Sequence, residues 1–154
     1  MISIRNILVP LDLGDYAVHA LPYARELATT FGATLHLLHV VDSRWVAGAG
    51  GAAFPEYGDN LMKRFEDDAT RALDQVRTGL PQALSVTTAI RIGPPHVQVV
   101  QYARDLEVDL IVIATHGRSG LKHALIGSVA EKVVHMAPCP VLSLKSPEHE
   151  FIMP

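Results

Sequence analysis

Five short runs of aliphatic and β-branched residues constrain the fold of this chain more than any other feature. They are Ile4–Leu11, Thr34–Val41, Leu84–Ile92, Asp109–Ala114 and Val141–Lys145. Four segments of helical periodicity separate them: Tyr16–Phe31, Asp59–Thr78, His96–Leu106 and Ser128–Met136. Strands alternating with helix-length segments pair in parallel, with helices on both faces of one sheet. Near-continuous apolar strands such as Leu110-Ile-Val-Ile-Ala114 agree, because a strand covered on both sides has no polar face. The expected architecture is α/β, a three-layer α/β/α sandwich around a five-stranded parallel sheet. Gly32 reads as a left-handed helix stop. The glycine-rich stretch 43–58 is too rich in breakers for helix or strand and reads as a long mobile loop. Residues 1–154 read as one domain, with a core at about 3–145 and a tail at 146–154.

Composition narrows the partners. Of 154 residues, 49% are hydrophobic and only 19% are charged, so part of the surface is expected to be covered by a partner chain. The formal net charge of −3 provides no general attraction for a phosphate backbone, which argues against a nucleic-acid polymer. The only cysteine, Cys139, excludes an internal disulfide and fits a reducing compartment. No apolar run approaches the ~20 residues that span a bilayer, and the N-terminus lacks the pattern of a signal peptide. A soluble, cytoplasmic protein without a membrane partner is expected.

In an open parallel sheet, ligands sit beyond the carboxyl ends of the strands, where strand order reverses. The most informative loop follows the fourth strand, from Ala114 to Ser128. Gly117, Gly120 and Gly127 let backbone N–H groups approach a ligand closely. Ser128 opens a helix whose first turn offers free N–H groups and the positive end of its dipole. Arg118 and Lys122 add positive charge. These features point to a phosphate, and a branched side chain at Gly127 is expected to fill phosphate space. A plainer reading stays open: Ser128-Val-Ala-Glu131 is also a capping box, with Ser128 capping its own helix. There is no GxxxxGK[ST] loop. Gly48-Ala-Gly50-Gly-Ala-Ala53 fits a dinucleotide fingerprint in letters only, since no helix follows it directly.

Ala114-x₂-Gly117-x₉-Gly127-Ser128, after a strand ending in Ile-Val-Ile, resembles the nucleotide-binding motif G-x₂-G-x₉-G-[ST] of the universal stress protein (UspA-like) family. Ile7-Leu-Val-Pro-Leu-Asp12, Leu38-His39-Val40 and Pro138-Cys-Pro140-Val-Leu resemble that family's first, second and last strands. Ala114 stands where the motif has its first glycine. The resemblance implies a Rossmann-like, adenine nucleotide alpha hydrolase-like sheet of order 3-2-1-4-5. It implies ATP, accompanied or not by Mg²⁺, across the crevice between the first and fourth strands. Asp12 would meet the ribose hydroxyls. Val40 would offer backbone contacts to adenine, with Pro10, Leu11 and Ile113 nearby. Ala114, His116, Gly117, Arg118, Gly120, Gly127, Ser128 and Val129 would surround the phosphates. Val141, Leu142, Ser143 and Leu144 would form a homodimer interface.

The implied role is a homodimeric, nucleotide-responsive stress or signalling module. Binding rather than catalysis is expected, with at most slow ATP hydrolysis, since only Asp12 and Asp42 are carboxylates at the strand ends and no base for water is evident. Two alternatives stay open: a dimeric interaction module without ATP binding, which Ala114 favours, and a binder of AMP or cAMP. His36 and His39 lie three apart on a strand, so they point to opposite faces and cannot share one metal ion. Cys139, between two prolines, reads as an inert buried thiol.

Overall fold

The computed structural model describes residues 2–14, 19–51, 53–115 and 127–145. The elements in chain order are β1 (Asn6–Pro10), α1 (Ala20–Phe31), β2 (Thr34–Val41), α2 (Ser43–Val46), a wide helical turn (Ala47–Gly51), α3 (Pro55–Thr78), β3 (Val86–Ile92), α4 (Pro95–Asp105), β4 (Leu110–Ala114), α5 (Ser128–Met136) and β5 (Val141–Leu144). The five strands form one parallel sheet of order β3-β2-β1-β4-β5. The fold class and the strand order are those expected. The expected start of the first helix at Tyr16 and the tail at 146–154 lie outside the described residues.

Period-two alternation divides the core between the two faces. Ile7 and Val9 of β1, Leu35 and Leu37 of β2 and Val112 of β4 pack beneath α1 and α3, against Ala20, Ala24, Ala28 and Leu73. Leu8, Leu38, Ile111 and Ile113 point the other way, against Val99, Tyr102, Ala103, Ala130 and Val133 of α4 and α5. Each buried aliphatic side chain of this size contributes about 1.5–3 kcal/mol of transfer free energy. Both faces are therefore closed to water, as an all-parallel sheet requires.

Two helices end in the same way. After α1, Gly32 adopts φ +64° and the N–H of Ala33 donates to the carbonyl of Ala28 at 2.9 Å. After α4, Glu107 adopts φ +46° and the N–H of Val108 donates to the carbonyl of Ala103 at 2.9 Å. Both are Schellman closures, with an apolar residue after the left-handed one packed into the core. Only the first uses glycine.

The stretch 43–58 differs from expectation. It holds α2, the wide turn and the start of α3, not a loop without secondary structure. The Asp42 side chain caps α2, accepting from the N–H of Arg44 at 3.0 Å, and Pro55 occupies the first turn of α3, where its missing N–H costs nothing. Capping and packing overrode the low helix propensity of glycine, which is a weak prior.

Candidate functional site

Chain connections diverge at the β1–β4 boundary: β1 leads to β2 on one side and β4 to β5 on the other. In a sheet of this connectivity a ligand sits beyond the carboxyl ends of these two strands. Pro10 is the last residue of β1 and is half-buried. Leu11 is 4% exposed, with its side chain in the core beneath α1. Asp12 follows, and its Oδ1 accepts the N–H of Gly14 at 2.9 Å. Between them, Leu13 takes φ +60°, a conformation that costs a non-glycine residue roughly 1–2 kcal/mol. Leu13 packs against the core, and this contact offsets that cost. The turn thus holds a carboxylate two residues past the end of β1.

Val40, next to last in β2, is half-buried and packs on the α4–α5 face. Ile113 is buried there too. Ala114 ends β4 in register with Leu144, and its backbone does not enter the left-handed region. Alanine in the place of the motif's first glycine is therefore unstrained.

The start of α5 lies against the end of β4. The N–H of Gly127 donates to the carbonyl of Thr115 at 2.5 Å. Thr115 is itself tied to β5, its N–H and Oγ1 both donating to the Leu144 carbonyl at 2.8 and 3.1 Å. Gly127 has φ −69°, so left-handed geometry is not its reason for being glycine. A Cβ there would stand 2.9 Å from the Thr115 oxygen. Close backbone approach is what requires it. Gly127 is also the cap residue of α5, and Ser128 is its first helical residue, with no side-chain capping bond. The capping-box reading of Ser128 is thereby corrected. The first helical bond of α5 runs from Glu131 to the Gly127 carbonyl, so the N–H groups of Ser128, Val129 and Ala130 have no acceptor within the helix. Ser128 is exposed, while the Val129 side chain packs on the α4–α5 core. His116, Gly117, Arg118 and Gly120 fall outside the described residues, as does Lys122.

Asp42, the other strand-end carboxylate, is already engaged. It accepts from Arg44 Nε at 2.9 and 3.0 Å and from its terminal nitrogen at 2.5 Å. The side-chain hydrogen bonds to Arg44 hold its carboxyl below the ordinary aspartate range. No group of three metal-ligating side chains occurs among the described residues. His36 and His39 make separate contacts: His36 meets Tyr102 of α4, and His39 reaches the carbonyl of Leu11, just past the end of β1. Cys139 is half-buried, and burial, reinforced by Asp109, pushes its thiol upward.

Sequence reasoning missed three participants: Thr115, Leu13 and His39. No local signal marks them, since each acts through a contact or conformation that only the folded chain displays. The site offers backbone donors, one carboxylate in a tight turn and apolar walls, which is equipment for holding a polar ligand with an anionic end.

An α/β sheet of order 3-2-1-4-5, with helices on both faces, defines a Rossmann-like domain. Residues 3–145 match the universal stress protein family, and the chain belongs to that family. It is 32% identical to the universal stress protein MJ0531 of Methanocaldococcus jannaschii over 147 residues, covering 95% of this chain and 85% of that one. The solved structure of MJ0577, a universal stress protein of the same organism, superposes with a TM-score of 0.86 at 29% identity, covering 96% of this chain and all of that one. A universal stress protein in complex with cAMP has a TM-score of 0.63 at 19% identity, covering 94% of this chain and 98% of that one, a likeness of fold. No described helix is long and apolar enough to cross a membrane.

Proposed function

We propose that this universal stress protein binds ATP in the crevice beyond β1 and β4 and acts in the cytoplasm as a homodimeric, nucleotide-responsive stress or signalling module. One observation carries the reading. The first-turn N–H groups of α5, which have no acceptor within the helix, stand beside the end of β4, at the switch point that Asp12 follows from β1. A helix N-terminus suits phosphates, and an acceptor-only carboxylate suits ribose hydroxyls. Gly127, Ser128 and Val129 would hold phosphate, joined by His116, Gly117, Arg118 and Gly120. Pro10, Val40, Ile113 and Ala114 would border the nucleoside, while Leu11 supports from the core. Mg²⁺ would arrive with the nucleotide, held chiefly by its phosphates.

Binding, not turnover, is the proposed role. Phosphoryl transfer needs a group that positions the attacking water, and Asp42 is engaged by Arg44. Dimerisation would use β5, whose outer edge has no partner strand among the described residues. Calorimetric titration with ATP, with and without Mg²⁺, tests the reading, and AMP and cAMP as competitors rank the ligands. Absence of both heat and thermal shift at millimolar nucleotide would sink it and leave the dimeric interaction module.

A further inference from the structure

Leu11 is gripped by β2 through both of its backbone polar groups. Its N–H donates to the Leu38 carbonyl at 2.8 Å, continuing the parallel ladder past the last registered pair, Pro10 with Leu38. Its carbonyl lies 2.7 Å from Nδ1 of His39. A carbonyl only accepts, so Nδ1 carries the hydrogen. In a regular parallel ladder that carbonyl would instead take the N–H of Val40. The imidazole stands in for the next backbone donor, and pairing stops there.

The backbone groups of β2 face its two neighbours alternately. Leu35 donates to Ser85 and Val41 accepts from Gly93, both toward β3, whereas the Leu38 carbonyl faces β1. Val40 shares the phase of Leu38. Its N–H and carbonyl are directed past the end of β1, into the crevice.

We infer that His39 is a positioning residue that ends the β1–β2 ladder one rung early and so presents the Val40 N–H and carbonyl to the base of a bound adenine nucleotide. This role rests on the nucleotide reading above. Adenine sets an amino donor beside a ring-nitrogen acceptor, which a neighbouring carbonyl and N–H complement. Hypoxanthine reverses that order, so the same backbone pair discriminates against it. The hydrogen bond also fixes the plane of the Leu11–Asp12 peptide, because a peptide unit is rigid.

The test compares the wild type with His39→Leu, which removes the donor, and His39→Asn, which keeps an N–H near the position of Nδ1. Two measurements are made: amide exchange at Val40 in the ligand-free protein, and the ratio of dissociation constants for ATP and ITP. In His39→Leu the Val40 N–H is expected to close onto the Leu11 carbonyl. Its exchange should slow about tenfold, and preference for ATP should fall about tenfold, as expected for one lost pair of hydrogen bonds. His39→Asn should match the wild type in both. Unchanged exchange or an unchanged ratio in His39→Leu, with ATP bound normally by the wild type, would overturn the role of His39. A wild type that binds neither nucleotide would overturn the nucleotide reading, and presentation to a base with it, whatever the exchange rates.

Discussion

Gly127 and Thr115 meet backbone to backbone: the glycine N–H donates to the threonine carbonyl at 2.5 Å, and a Cβ on the glycine would stand 2.9 Å from the same oxygen. Thr115 in turn bonds the Leu144 carbonyl. One short relay thus links the start of α5, the end of β4 and the edge strand β5. A motif glycine that sequence reasoning assigns to phosphate space is also a packing residue.

Substitution at this glycine therefore acts on the fold as well as on the site. Gly127→Ala should destabilise the protein by about 1–3 kcal/mol, the usual cost of forced overpacking. Thermal unfolding should register this as a fall of several degrees, at roughly 2–4 °C per kcal/mol for a chain of this size. An unaltered melting temperature with lost nucleotide affinity would mean that the glycine serves the ligand alone.

His36 makes stability fall on the acid side. Its ring is buried, with Nδ1 3.2 Å from the Tyr102 hydroxyl and Nε2 3.3 Å from Asn6 Oδ1. The Arg91 guanidinium lies 5.5 Å over the Tyr102 ring and pairs with Asp105. Burial lowers the His36 pKa below the ordinary imidazole value. The unfolded chain then binds a proton that the folded chain refuses, so stability rises with pH through that window. It should be fully present above about pH 6.5 and decline as pH falls toward the lowered folded pKa. The urea midpoint should drop more between pH 7 and pH 5 in the wild type than in His36→Gln. Equal slopes would contradict the assignment.

Glu107 offers an engineering test of backbone strain. It fills the left-handed position of the α4 closure that Gly32 fills after α1. Its side chain is exposed. Glu107→Gly should stabilise the protein by about 0.5–1 kcal/mol, since removal of the left-handed penalty outweighs the added chain entropy. Chemical denaturation at fixed pH reads this directly, and a loss of stability would refute it.

The proposed dimer edge can be broken without breaking the sheet. Pro140 and Leu144 turn their carbonyls to β4, accepting from Ile111 and Thr115. Strand alternation turns the backbone of Val141 and Ser143 outward. Ser143→Pro removes only an outward N–H, a substitution that edge strands tolerate. Sedimentation should find a monomer that still unfolds cooperatively. A persistent dimer would place the interface elsewhere.

Much of the architecture was legible because its signals are local. β2 and α5 lie at the residues that periodicity assigned, Thr34–Val41 and Ser128–Met136. Gly32 closes α1 in the left-handed conformation expected of it. The glycine-rich stretch misled, because composition lowers helix propensity but cannot register a cap from Asp42 or the start that Pro55 provides. Ser128 starts α5 as assigned, and only the alternative capping-box reading fails, since a capping box and a first-turn serine differ by one residue of helix phase.

The amino-acid sequence by itself determined the alternation of strands and helices, and with it the parallel sheet and its two buried faces. Those follow from periodicity and chain connection, which any stretch of chain carries within itself. The strand order, and the switch point between β1 and β4, came from the family resemblance. Only the tertiary structure decided that Gly127 abuts Thr115 and that His39 takes the Leu11 carbonyl from Val40. These are hydrogen bonds and close approaches whose partners are chosen by side-chain reach and by the end of a strand register. Such choices arise when separate elements are brought within about 3 Å of one another, and no spacing along the chain encodes them.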